Sequence, residues 1–256
     1  MKRSDSRVVV ITGASAGIGL AVARRRVEAG DHIVITGRDQ GPLDAALRKL
    51  GSGVAVAVDA GANDAADQVV EAALSAYGAL DVIVANAARI PEPVSLMEAD
   101  EEDIDAVWRT NVAAPLRLVR AAWSATMCRT GGQVVMVGSL GGQAFQPDMG
   151  LYCTSKAALH HLTRILAAEL GPIVRVNAVA PGLIRTEGAR VGWEPAEPLI
   201  RDRSPLGRVG ETADVADAID FLIEPTSSWI TGQILIVDGG ASVQLARPRQ
   251  SSGVSK

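Results

Sequence analysis

Tyr152 and Lys156 stand four residues apart in the stretch YCTSK. On a helix that spacing puts both side chains on one face. A phenol with its ordinary pKa of ~10 is a poor proton carrier at neutral pH. A neighbouring ammonium stabilises the phenolate, and a ~3-unit drop asks for about 4 kcal/mol of differential stabilisation. Tyr77, the other tyrosine of the chain, has no such neighbour in sequence. Thirteen residues before Tyr152, Ser139 closes an apolar run, where a hydroxyl at a strand end can hydrogen-bond a carbonyl oxygen. Asn111, in RTNVAAP, falls inside a helical run, a poor place for Asn unless its side chain has a task.

A second group of residues has no side-chain chemistry. ITGASAGIGLAVARR, residues 11–25, carries Gly13, Gly17 and Gly19 between an apolar run and a predicted helix. The spacing is G-x-x-x-G-x-G, with Ser15 where G-x-G-x-x-G would need glycine. Glycines here let a pyrophosphate approach the backbone N–H groups that open the helix.

The elements that must position these residues alternate. Apolar, β-branched runs at 7–12, 32–37, 54–59, 80–87, 132–139, 174–181 and 232–240 predict strands. Between them, 16–30, 42–50, 64–78, 101–128, 152–170 and 212–224 predict helices, the fifth stopped by Gly171-Pro172. Strands that are apolar throughout are covered on both faces, which means a parallel sheet. The expected fold is α/β, a doubly wound Rossmann-type domain of about seven parallel strands with helices on both faces. One domain is expected over residues 1–242, with 243–256, polar and rich in Ser, expected as a disordered tail.

Composition narrows the function classes. A formal net charge of −4 over 256 residues offers little to a nucleic-acid backbone. No apolar run approaches the ~18 residues of a membrane span, and no signal-like segment opens the chain, so the cytoplasm is the expected location. Cys128 and Cys153 form no CxxC, and His32, His160 and His161 lack ligand spacing, so no metal is expected.

With TGASAGIG at the start, Asn111, Ser139, Tyr152 and Lys156 in order, and PGLIRT and SWITGQILIVDGG further on, the chain resembles the short-chain dehydrogenase/reductase family in its compact form. The resemblance runs from Arg7 to Gly240. It implies that Tyr152 transfers a proton to or from a substrate oxygen that Ser139 orients. It implies that Lys156 lowers the tyrosine pKa and binds the nicotinamide ribose, and that Asn111 holds a water of a proton relay. For the dinucleotide it implies contacts at Gly13, Ser15, Gly17, Ile18 and Gly19, with Thr12 shaping the loop. Asp59 and Ala60 would lie at the adenine, Asn86 and Ala87 at the ribose, and Ile184 and Thr186 at the carboxamide. The second strand ends VITGRD, with Gly37 where NAD-preferring relatives often carry Asp, followed by Arg38, a cation suited to a 2′-phosphate. NADP(H) is therefore favoured, with Asp39 keeping NAD(H) as the alternative.

The reaction implied is hydride transfer between the nicotinamide and a small ketone or secondary alcohol. Residues 187–208 are expected to form a substrate lid with Trp193, Leu199 and Ile200, and Arg89, Phe145, Gln146 and Met149 the opposite wall. A homotetramer, or failing that a homodimer, is implied as well. The chain departs from the family at 85–88, where the usual N-N-A-G reads ANAA. The competing readings are a non-catalytic nucleotide sensor or scaffold on the same fold, and a nucleotide-sugar epimerase or dehydratase. The first has no use for the four-residue set; the second needs a larger C-terminal substrate region.

Overall fold

The computed structural model describes residues 6–144 and 146–243. Phe145 and the tail expected over 243–256, apart from Val243, lie outside the described residues. Seven strands form one parallel sheet: β1 (Val8–Ile11), β2 (His32–Gly37), β3 (Val54–Ala57), β4 (Val82–Ala85), β5 (Gly132–Val137), β6 (Val174–Pro181) and β7 (Ile234–Val237). Their spatial order is β3-β2-β1-β4-β5-β6-β7, with every pairing parallel. The order reverses between β1 and β4, and ligands bind beyond the carboxyl ends of strands at such a point.

Why the strands are apolar throughout is visible in β1, whose four residues alternate between two cores. Val8 and Val10 point to one layer with Ile83, Val134 and Met136; Val9 and Ile11 point to the other with Ile33, Val82 and Val135. The first layer is completed by α3 (Ala65–Tyr77), α5 (Ala114–Ala122) and α7 (Gly150–Leu170), through residues such as Val69, Leu118 and Leu159. The second is completed by α1 (Gly17–Glu28), α2 (Gln40–Leu50) and α9 (Thr212–Ile223), through Val22, Leu43 and Ile219. At the amino ends of the strands, buried Arg26 pairs with Asp31 at 3.2 Å, Asp220 at 3.1 Å and Glu224 at 2.9 Å. This pairing offsets the cost of burying charge where α1 meets α9.

The helix expected over 101–128 is not uniform. It runs as α4 (Glu101–Trp108), a π-turn at Arg109–Ala113, α5, a second π-turn at Trp123–Met127 and α6 (Cys128–Thr130). Pro115 accounts for the first π-turn. It has no N–H for the carbonyl of Asn111, four residues back, and its ring crowds that carbonyl. The Ala114 N–H reaches Arg109 O, five residues back, instead. The proposed lid is also partly helical: α8 (Arg190–Arg203) contains Pro195 and Pro198.

Candidate active site

The carboxyl ends of β1 to β6 bring the sequence-predicted residues to one side of the sheet. After β1, the chain turns through Gly13 at φ +63° and Gly17 at φ +59°, conformations that favour glycine. Gly19 is constrained by space: a Cβ there would lie 2.6 Å from Gly13 O. Helix α1 then opens with no side-chain cap and no acidic residue in its first turn. Its leading N–H groups and dipole are left for an anion, so this end of the fold suits a pyrophosphate.

The loop is braced from β4. Thr12 Oγ1 accepts from the N–H groups of Asn86 and Ala87, both at 3.0 Å. Asn86 Nδ2 donates to Thr12 O at 3.0 Å and Gly13 O at 2.9 Å. The Asn86 amide is thus committed to holding the glycine loop in shape. At the ANAA departure, Ala85 and Ala87 line with Thr12, Ala60 and Pro115 a small cavity of about 20 Å³. Ser15 lies beside Gly37, where a Cβ would come 3.5 Å from its Oγ. Arg38 is exposed and, among the described residues, makes no ion pair. Asp59 is exposed and accepts from Gly61 N at 2.9 Å.

The segment after β6 closes over the loop, with Thr186 Cγ2 within 3.5 Å of a Cβ built on Gly17. Ile184 is buried and bridges to Gly210. Helix α8 is fastened to this segment: Trp193 Nε1 donates to Thr186 O at 2.8 Å, and Arg185 pairs with Glu197 at 2.6 Å and stacks 5.2 Å from the Trp193 ring. Trp193, expected as a substrate contact, is engaged with the segment that carries Thr186. Leu199 is exposed and Ile200 half-buried. Arg89 is exposed and pairs with Asp103 at 2.7 Å; Gln146 is exposed and Met149 half-buried.

The residues expected to serve proton transfer meet where β5 hands over to α7. Ser139 caps the short turn Leu140–Gly142, its Oγ accepting from Gly141 N at 3.1 Å. That bond leaves the Ser139 proton free to be donated towards the Tyr152 phenol. Burial pushes the Tyr152 phenol up, the Ser139 hydrogen bond draws it down, and neighbouring Cys153 adds to the rise. Lys156 is 2% exposed, its Nζ donating to Val137 O at 2.8 Å and lying 5.6 Å from the centre of the Tyr152 ring. Burial lowers Lys156 to about 8, which leaves it cationic at neutral pH. On balance Tyr152 is raised above its ordinary value, and Lys156 is not among the causes, so the lowering that the resemblance implies for Lys156 is not seen in this structure.

Asn111 sits in the π-turn and is fully engaged. Its Oδ1 accepts from Arg89 N at 2.8 Å, and its Nδ2 donates to Arg89 O and Ser155 Oγ, both at 3.0 Å. Buried Ser155, which the sequence reading passed over inside YCTSK, donates in turn to Tyr152 O at 2.7 Å. Asn111 is thereby tied through Ser155 to the helical turn that carries Tyr152. Its carbonyl lacks the α-helical partner that Pro115 cannot provide.

The family model described as enoyl-(acyl carrier protein) reductase matches residues 13–242. Dehydrogenase/reductase SDR family member 4 from Mus musculus is 36% identical over 248 residues, covering 94% of this chain and 89% of its own. The chain belongs to the short-chain dehydrogenase/reductase family. Among solved structures, a short-chain type dehydrogenase/reductase from Mycobacterium ulcerans superposes with a TM-score of 0.88 at 29% identity, covering 95% of this chain and 92% of that one. ElxO, solved with NADP bound, gives 0.86 at 28% identity, covering 93% of this chain and all of its own. Members of this short-chain dehydrogenase/reductase family are oxidoreductases that use nicotinamide cofactors and small-molecule substrates. Among the described residues, no helix is long and apolar enough to cross a membrane, and no group of ligands fit for a metal ion occurs.

Proposed function

We propose that this short-chain dehydrogenase/reductase interconverts a small ketone and its secondary alcohol with NADP(H). One observation carries the reading: the buried Lys156 ammonium lies 5.6 Å from the centre of the Tyr152 ring, beside the turn that Ser139 caps. A reduced nicotinamide, when bound, supplies the hydride. Tyr152 Oη gives its proton to the carbonyl oxygen as that oxygen gains charge. Ser139 donates a hydrogen bond to the same oxygen, and the Lys156 charge stabilises the phenolate left behind.

The residues suit the dinucleotide. The uncapped start of α1, with Gly13, Ser15, Gly17, Ile18 and Gly19, would hold the pyrophosphate, and Ile184 and Thr186 the carboxamide end. Asp59 and Ala60 are assigned to the adenine, and the backbone of Asn86 and Ala87, with Lys156, to the riboses. Exposed Arg38, free of a carboxylate partner among the described residues, supports the 2′-phosphate, as does the NADP of ElxO. A homotetramer or homodimer belongs to the proposal. It is supported by Phe221, Trp229, Leu235 and Ile236, exposed at the α9–β7 end of the molecule, and sedimentation reads it. The free thiols of Cys128 and Cys153 support the reducing cytoplasm.

The test is oxidation of NADPH and NADH against a panel of ketones, for the wild type and Arg38→Asp. The expected result is faster turnover with NADPH and a loss of at least ~10-fold in NADPH efficiency, with NADH nearly unchanged, in Arg38→Asp. Equal losses with both cofactors would overturn the assignment of Arg38. Binding of neither cofactor would overturn the function.

A further inference from the structure

His160 lies one helical turn beyond Lys156 on α7, 3% exposed, and takes no part in the chemistry above. Its Nε2 has no hydrogen-bond partner among the described residues. Leaving a buried nitrogen unpaired costs free energy, which its packing has to offset. The ring touches Gly138 and Gly142, which lie on either side of the Ser139–Gly141 stretch. A Cβ on Gly138 would collide with Nε2 and come 2.7 Å from Cδ2. A Cβ on Gly142 would lie 2.6 Å from Cε1 and 2.8 Å from Nδ1. Both glycines have negative φ, so space rather than backbone conformation excludes a side chain there.

We propose that His160 is a positioning residue for Ser139, its imidazole filling the slot that Gly138 and Gly142 leave open and fixing the turn that aims the Ser139 hydroxyl at Tyr152. The chain of contacts is continuous. The ring holds both sides of the turn, the turn presents Gly141 N to Ser139 Oγ at 3.1 Å, and that bond fixes the hydroxyl while leaving its proton free for the phenol. Burial, followed by the charges of Lys156 and Arg164, lowers His160 to about 4. The ring is therefore neutral at working pH and adds no second cation beside Lys156. The inference rests on the oxidoreductase reading, which gives Ser139 and Tyr152 their task.

The experiment needs no substrate. Tyr77 and Tyr152 are the two tyrosines of the chain, so in a Tyr77→Phe background the near-ultraviolet tyrosinate absorbance titrates Tyr152 alone. Circular dichroism at each pH confirms the fold. Ser139→Ala is expected to raise the Tyr152 midpoint by on the order of one pH unit, through loss of the donated hydrogen bond. His160→Ala is expected to raise it in the same direction, and to add nothing once Ser139 is already Ala. Gly138→Ala combined with His160→Ala puts a methyl group back into the slot and should return the midpoint at least halfway. The milder His160→Asn keeps a planar polar group at the near end of the slot and should show about half the shift, so the result does not depend on one variant folding. Leu166→Ala, a loss of packing further along α7, should lower Tm and leave the midpoint in place.

A His160→Ala midpoint equal to that of the parent, in a chain where Ser139→Ala moves it, overturns the proposal and leaves the oxidoreductase reading intact. A midpoint that Ser139→Ala itself does not move overturns both, because the Ser139–Tyr152 contact is then absent.

Discussion

At the scale of single residues, the site sets neutral and charged groups side by side through burial. Lys156 keeps its charge near neutral pH although burial lowers it to about 8. His160, one turn away, is driven down to about 4 from its ordinary 6.5. A histidine depressed in this way contributes stability that is present above pH 6.5 and lost as pH falls through 4. Tm should therefore begin to fall below pH 6.5, and His160→Asn should postpone the fall until the carboxylates titrate. Identical pH profiles for parent and variant in thermal melts would contradict this assignment. Tyr152 and Lys156 were legible in the sequence because a four-residue helical spacing is local. His160 was not. Its adjacency to His161 ruled out a ligand pair, but its contacts with Gly138 and Gly142 cross from one element to another. Ser155 escaped notice because its meaning depends on Asn111, 44 residues away.

At the scale of elements, the apolar runs located all seven strands, because a sheet buried on both faces requires them. Their ends were less legible. The fourth strand, expected over 80–87, stops at Ala85, since the Asn86 and Ala87 N–H groups turn to Thr12 Oγ1. The last, expected to 240, stops at Val237, and the chain turns at Gly239 and Gly240 with φ of +63° and +86°. The break in the helix over 101–128 follows from Pro115, visible in the sequence, although its effect on Asn111 appears only once the turn is built. Pro115→Ala restores the missing N–H and favours a regular helix, which would rotate Asn111 away from Arg89 and Ser155. We expect turnover to fall by on the order of tenfold with Tm unchanged or raised. Unchanged turnover would show that the π-turn does not matter to the site.

At the scale of the molecule, the doubly wound sheet lays the glycine loop, the Ser139 turn and the Thr186 segment along one row of strand ends. Each region is fastened to its neighbour: Asn86 braces the glycine loop, Asn111 and Ser155 brace Tyr152, and Arg185 and Trp193 tie α8 to the segment beside Gly17. Motifs in the sequence placed the first two regions. The fastening of α8 was illegible, because Arg185 and Glu197 meet only after α8 folds back on the segment that follows β6. The most direct measurement compares the wild type with Tyr152→Phe. NADPH binding is followed by its fluorescence, and hydride transfer by loss of NADPH absorbance with a ketone that the wild type reduces. We predict binding that is unchanged within about threefold and transfer reduced by at least ~10²-fold, the size of a lost general acid. Transfer that survives within tenfold, with binding intact, would contradict the assignment of Tyr152 as the proton donor.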